Sequence, residues 1–247
     1  MPSITELGSS VLASSLRGWR GTGNTHAARK RPETPLALYE FEACPFCRLV
    51  REALTELDLD VLIRPCPQGG QRFREQARKI GGRSLFPFLV DPNTNRHLYE
   101  SGDIIDYLNA NYGGTVPASK GLRRGLSILS GTAAAQVRHG HGRHARPSKV
   151  PEEPLELYSF ESSPYSRLVR ETLCELELPY LLHNGGKARW SDMGPPQVRD
   201  RLLHANADTS SNRATLYALT HRVQFPYLID PNTGTAMYES DDIRDYL

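Results

Sequence analysis

The sequence predicts an α/β protein assembled from two copies of one unit, each running β-α-β-α-β-β-α. Three observations carry this. "LALYEFEACPFCRLVREALTELDL" (Leu36 to Leu59) and "LELYSFESSPYSRLVRETLCELEL" (Leu155 to Leu178) agree at fifteen of twenty-four positions, offset by 119 from Cys44 to Ser163. "FPFLVDPNTNRHLYESGDIIDYL" (Phe86 to Leu108) and "FPYLIDPNTGTAMYESDDIRDYL" (Phe225 to Leu247) agree at fifteen of twenty-three, offset by 139 from Pro87 to Pro226. Within each copy the apolar period switches between two and three-and-four, the periods of strand and helix. The step between the offsets puts about twenty extra residues into copy two, a change that alters a loop or helix and leaves the frame intact.

The elements of copy one follow in order. "LALYEF" alternates Leu36, Leu38 and Phe41 around Tyr39 and reads as a strand. From Pro45 to Leu57, Phe46, Leu49, Val50, Ala53, Leu54 and Leu57 recur at helical spacing. "VLIRPC" is a second strand, parallel to the first because a helix joins them. "QRFREQARKI" is a helix closed by Gly81-Gly82. "FPFLVD" is a third strand, "DPNT" a turn and "RHLYE" an antiparallel fourth strand. "SGDIIDYLNANYG" closes the unit as a helix, with Ser101 as its cap and Asp103 in its first turn.

Upstream, the offset of 119 sets Ser14 to Gly23 against Ala133 to Gly142, so each copy is read as preceded by a short amphipathic helix and a basic linker. The expected division is 1–34 lead-in helix and linker, 35–113 first unit, 114–153 basic linker and 154–247 second unit. Residues 1–31 hold Glu6 as their one acid and are Ser- and Arg-rich. The expected compartment is the cytoplasm, with an organelle such as the chloroplast as the alternative if 1–31 is a transit peptide.

Composition sets outer bounds. The chain has 247 residues, 38% hydrophobic and 23% charged, with a net charge of +2. No run of 18 apolar residues exists, so no transmembrane segment is read. The arginines of the linker lack interleaved aromatics, so no nucleic-acid partner is expected. Four cysteines, two of them in one C-x-x-C, fit thiol chemistry in a reducing compartment better than a disulfide scaffold. A zinc site would need His139, His141 and His144 as its other half, and no metal is expected.

The helix start "CPFC" resembles the active-site motif of glutaredoxins. "FPFLVD…YESGDIIDYL" resembles the second half of the glutathione S-transferase N-terminal domain. Both copies match, so the chain resembles a tandem glutathione S-transferase N-terminal-domain protein with two thioredoxin-like units. The resemblance implies a cis-proline at Pro87 and Pro226 and glutathione as co-substrate. It departs from the transferases after Asn111-Tyr112, where another copy of the unit stands in place of their all-helical domain. That weighs against transfer to bulky electrophiles.

An ordinary thiol is a weak nucleophile near neutrality, but a helix N-terminus favours its thiolate. Cys44 is therefore the candidate nucleophile and Cys47, three residues on, the candidate resolving thiol, with Arg48 and Arg51 adding positive potential. Cys66 and Cys174 read as packing residues. For glutathione, the resemblance implies backbone pairing at Phe86 beside Pro87, a carboxylate site at Ser101, and Glu100 or Asp103 on the amine. In copy two Phe225, Pro226, Glu239 and Ser240 keep this cradle, while Ser163 and Ser166 replace the thiols. The expected function is a glutathione-dependent thiol–disulfide oxidoreductase, with a disulfide-containing protein as a further partner. The alternative is a glutathione-binding or scaffold protein without turnover.

Overall fold

The computed structural model describes residues 2–24, 26–116, 122–188 and 210–247. Copy one comprises β1 (Leu36–Glu40), α2 (Pro45–Glu56), β2 (Val61–Pro65), α3 (Arg72–Gly81), β3 (Phe88–Asp91), β4 (Arg96–Tyr99) and α4 (Ser101–Tyr112). Copy two comprises β5 (Leu155–Ser159), α6 (Pro164–Glu175), β6 (Tyr180–Asn184), α7 (Ser211–Thr220), β7 (Tyr227–Asp230), β8 (Thr235–Tyr238) and α8 (Ser240–Tyr246). Helices α1 (Ile4–Ser15) and α5 (Leu122–Val137) precede them. The additional residues of copy two coincide with 189–209, outside the described residues. Each unit is the expected thioredoxin-like β-α-β-α-β-β-α.

The two units share one eight-stranded sheet, ordered β4-β3-β1-β2-β6-β5-β7-β8. Within each copy the first two strands are parallel and the last two antiparallel. The copies join where β2 runs antiparallel to β6, pairing Val61 with Leu182 and Ile63 with Tyr180. Each of these strands would otherwise end its own sheet with unpaired backbone groups, and pairing removes both edges. Alternate residues of β1 divide the core. Leu36 and Leu38 pack with α2 and α4 side chains such as Val50 and Ile104, whereas Tyr39 packs with Phe73, Ala77 and Phe88 beside α3.

Charge crosses the junction. His183 on β6 places Nδ1 3.0 Å from Asp60 of copy one and Nε2 3.1 Å from Glu156. Burial alone would lower the imidazole pKa, but the two carboxylates outweigh it and raise it above 6.5. A raised folded-state pKa stabilises fully below the unfolded value and is lost as pH rises through the folded one. The Tm difference between the native chain and His183→Gln is therefore expected to be largest below pH 6.5 and to shrink steadily above it. A pH-independent difference would show that the imidazole acts by packing on Tyr158, whose ring stacks on it at 4.4 Å.

The charged face of α2 is buried as thoroughly as its apolar stripe. Arg48, Arg51 and Glu52 are each 6% exposed or less, while Phe46, expected in the stripe, is 38% exposed. Copy two is the reason. Arg51 donates to Glu161 at 2.9 Å, pairs with Glu40 and lies 3.3 Å from Glu42. Its counterpart Arg170 lies 3.0 Å from Glu42 and 3.1 Å from Glu161. Glu42 and Glu161 thus each serve the arginines of both copies about a pseudo-two-fold axis.

The lead-in helices are exchanged. Helix α1 precedes copy one but lies on α6 of copy two, where Ser10 Oγ donates to the Pro164 carbonyl and Ser14 Oγ to the Ser162 carbonyl, both at 2.8 Å. Helix α5 precedes copy two but lies on α2 of copy one. Arg17 then reaches Glu52, and Arg138 reaches Glu171, each at 2.6 Å. Gly21 and Gly142 follow with φ of +71° and +74°. A Cβ on either would come within 2.7 Å of a glutamate Cβ, Glu161 and Glu42 respectively, so both the turn and the close approach require glycine. These pairs correct the upstream alignment: Arg17 corresponds to Arg138 and Gly21 to Gly142, an offset of 121 rather than 119.

Candidate functional site

Cys44 holds the N-cap position of α2 in extended conformation, with Pro45 as the first helical residue. Its sulfur accepts the Cys47 backbone N–H at 3.3 Å. The Cys47 thiol also donates to it, and together with the N–H groups of Cys47 and Phe46 and the charge of Arg51 this lowers the Cys44 pKa despite burial. Cys47 moves the other way: burial, then the neighbouring Cys44 sulfur, push it well above the ordinary thiol range. Cys66 and Cys174 are also held high by burial. All four thiols are free. In copy two Ser163 reproduces the arrangement, its hydroxyl accepting the Ser166 N–H at 3.3 Å.

Cys44 is only 4% exposed. Helix α5 forms the roof, with Gly131 set so close to Pro45 that a Cβ there would lie 3.2 Å from the Pro45 Cβ. A cavity of about 20 Å³ under this roof touches Cys44, Arg48 and Arg167. A wider one of about 180 Å³ lies beside it, lined by Phe41, Ala43, Pro45, Gln68, Gln136 and Arg143, among others. The sequence reads a lead-in helix and basic linker before copy two but gives no sign that this helix roofs Cys44.

Phe86 and Phe225 each precede a cis-proline, Pro87 and Pro226, as expected. The Phe86 ring packs edge-on against Phe41 at 6.4 Å, which connects the cis-proline loop to the wall of the wider cavity. Arg74 of α3 lies over the Phe86 ring at 4.9 Å, as Arg213 of α7 lies over Phe225 at 5.3 Å. Neither arginine was singled out from the sequence; a basic residue on the helix before each Phe-Pro was the available signal. Phe86, Pro87, Glu100, Ser101 and Asp103 line neither cavity directly.

Ser101 differs from its expected role as helix cap. Glu100 takes the cap position, with φ of +63°, and Ser101 is the first helical residue. Glu239 repeats this conformation before Ser240, with φ of +66°. A non-glycine residue with positive φ is held against its own preference. Among the described residues the buried Ser101 hydroxyl has no hydrogen-bond partner. Asp103 is exposed in the first turn of α4. No cluster of three or more His, Cys, Asp or Glu among the described residues is arranged to hold a metal ion, and no helix there is long and apolar enough to cross a membrane.

No curated protein matches the chain. Among solved structures, the chain is similar to the trimeric glutathione transferase TDR1 of Leishmania, at 14% identity and a TM-score of 0.29, over 86% of this chain and 66% of that one. The chain thus spans slightly less than two thirds of that protein's length. The family model described as "Glutathione S-transferase, N-terminal domain" matches twice, at residues 38–116 and 157–247. These segments cover both units and more than half of the sequence, and the chain belongs to the glutathione S-transferase N-terminal-domain family, whose unit it carries in tandem.

Proposed function

We propose that the protein is a glutathione-dependent thiol–disulfide oxidoreductase acting through Cys44. One observation carries the reading: a helix-capping cysteine whose thiol is lowered by three hydrogen bonds and a guanidinium, next to a second thiol that burial holds protonated. In this reading the Cys44 thiolate attacks the glutathionyl sulfur of a mixed disulfide RSSG. A Cys44–glutathione disulfide forms, and RS⁻ leaves and takes a proton. A second glutathione thiolate then attacks the glutathionyl sulfur, forming GSSG and restoring the Cys44 thiolate. On the other branch Cys47, once deprotonated, attacks the Cys44 sulfur, forms a Cys44–Cys47 disulfide and releases glutathione thiolate, and two further glutathiones reduce that disulfide and leave as GSSG. With a second glutathione the sum is RSSG and GSH to RSH and GSSG.

Family membership supports glutathione as the co-substrate. The tripeptide would place its cysteinyl backbone at Phe86, its γ-glutamyl carboxylate at Ser101 and the first turn of α4, and its amine near Glu100 or Asp103. Phe225, Pro226, Glu239 and Ser240 would serve copy two, where Ser163 hydrogen-bonds a glutathione thiolate without exchanging disulfides. The packing of α1 on copy two supports residues 2–24 being part of the folded protein rather than a removable leader.

A second reading, glutathione binding without turnover, is favoured by the roof that leaves Cys44 4% exposed. Intact-mass analysis after incubation with oxidised glutathione separates the two. The expected result is a single glutathione adduct, located by peptide mapping on Cys44. A chain that stays unmodified while still binding glutathione in calorimetry would select the second reading.

A further inference from the structure

The buried junction between the copies is crowded with charge. Six arginines there are 6% exposed or less: Arg17, Arg48, Arg51, Arg138, Arg167 and Arg170. Acids of the same junction are buried with them: Glu40, Glu42, Glu52, Asp58, Glu161, Glu171 and Glu177 are each 8% exposed or less. Burial raises the Glu40 pKa against the pull of Arg51, which holds its carboxylate.

The pairing is incomplete at one place, around Arg48 and Arg167. Arg167 is the counterpart of Arg48, and both line the small cavity under α5. Arg48 pairs with Glu52 at 3.3 Å and Glu161 at 3.6 Å, yet its second terminal nitrogen has no hydrogen-bond partner. Arg167 donates to Ser14 Oγ at 2.9 Å and to the Glu161 carbonyl at 3.5 Å. It makes no ion pair among the described residues, and its Nε and one terminal nitrogen have no partner. Three guanidinium nitrogens that are both buried and unpartnered are costly unless an acceptor meets them. Burial, and then the like charge of Arg48, lower the Arg167 pKa to about 9, which marks the same site as short of negative charge.

The carboxylates of the cavity wall are already engaged. Glu171 is held by Arg138 at 2.6 Å, and Glu42 by Arg170 at 3.0 Å and Arg51 at 3.3 Å. The cavity measures about 20 Å³, enough for one particle of roughly water size. A multi-atom oxyanion such as sulfate would not fit.

We infer that this cavity is a binding site for one small monoatomic anion of the halide class, held between Arg48 and Arg167 at the junction of the two copies and against the Cys44 sulfur. Such an ion supplies an acceptor to the unpartnered guanidinium nitrogens and offsets the positive charge of Arg167, which makes no ion pair among the described residues. Since the Cys44 thiolate draws on the same positive field, ion and thiolate compete for it. The site does not depend on the proposed redox activity and would stand if the protein turned over nothing.

Bromide is the probe. Crystals of the full chain grown in sodium bromide are expected to show one anomalous peak inside the cavity, within contact of Arg48 and Arg167. In solution, replacing gluconate, a multi-atom anion too large for the cavity, by bromide up to 0.5 M at constant ionic strength is expected to raise Tm by about 2–4 °C, as for a site of about 0.1 M affinity. Arg167→Met is expected to lose that increment. If the variant does not fold, the anomalous map of the native chain decides alone. A cavity without a bromide peak, or bromide found only on the surface, overturns the assignment in favour of water. An equal bromide response in the native chain and a folded Arg167→Met variant overturns it as well.

Discussion

Arg51→Leu is expected to destabilise the fold by about 3–5 kcal/mol, the usual cost of removing one member of a buried ionic group. Arg51 is 1% exposed and touches Glu40, Glu42 and Glu161, so the substitution removes the shared cation of three buried carboxylates. Glu42 and Glu161 retain Arg170, whereas Glu40 has no second arginine within ion-pair distance among the described residues. Glu40 would then protonate, and the backbone carbonyl of Glu42 would lose the donor it has at 3.2 Å. Because the network spans both copies, the loss should appear as destabilisation of the whole chain and not of copy one alone. Denaturant unfolding read by circular dichroism gives the number. A cost below about 1 kcal/mol would place the network in the class of weak surface pairs. Adding Glu40→Leu to Arg51→Leu is expected to return part of the lost stability, since it removes the stranded carboxyl.

The second large effect concerns chemistry. Cys44→Ser is expected to abolish disulfide exchange while leaving glutathione affinity within about threefold, because the proposed charged contacts at Ser101 and Glu100 do not involve the thiol. A hydroxyl does not ionise near neutrality, so no nucleophile remains, and copy two already carries this substitution at Ser163. Ser101→Ala is expected to do the converse, weakening glutathione binding about tenfold by loss of one hydrogen bond to a charged group. It should cost no stability, because the Ser101 hydroxyl has no hydrogen-bond partner among the described residues. That separation distinguishes a ligand contact from a structural one. Reductase activity surviving Cys44→Ser would move the nucleophile elsewhere, and a destabilised Ser101→Ala would return that hydroxyl to a structural role. A coupled glutathione-reductase assay and calorimetry read the two halves independently.

The strands and helices of each unit were legible because their periods are strong: Leu36 and Leu38 in β1, and Leu49, Val50, Ala53 and Leu54 in α2, all lie in one buried cluster. The cis-prolines were legible through the family resemblance alone. The junction was not. Arg48, Arg51 and Glu52 occupy the polar side of an amphipathic pattern, and nothing local distinguishes a solvated face from one covered by another copy. The repeat held the clue, since Glu42 and Arg51 recur as Glu161 and Arg170, but repetition alone does not say which copy answers which. The upstream register slipped by two because the two copies differ in length between Gly21 and Pro32, a stretch without apolar periodicity. The roof over Cys44 was hidden for a related reason: α5 buries small residues such as Ala134 and exposes Leu126 and Leu129 at 57% and 67%, so its packing face carries little hydrophobic signal.

The exchange of lead-in helices bears on how the chain can be divided. A fragment cut at the repeat boundary would keep CPFC and discard the helix that covers it, while retaining α1, which has lost its seat on copy two. A CPFC fragment that keeps its cover would instead run from about Leu36 through Arg138, borrowing the first helix assigned to its neighbour, and would still leave the β2 edge and Arg51 without their copy-two partners. By the same logic, fusing the two halves in reverse order would strand both helices unless each travelled with the copy that follows it in space rather than in sequence. Duplication here did not set two autonomous modules side by side; it wrote a dimer into one polypeptide, in which each half lends the other its cover.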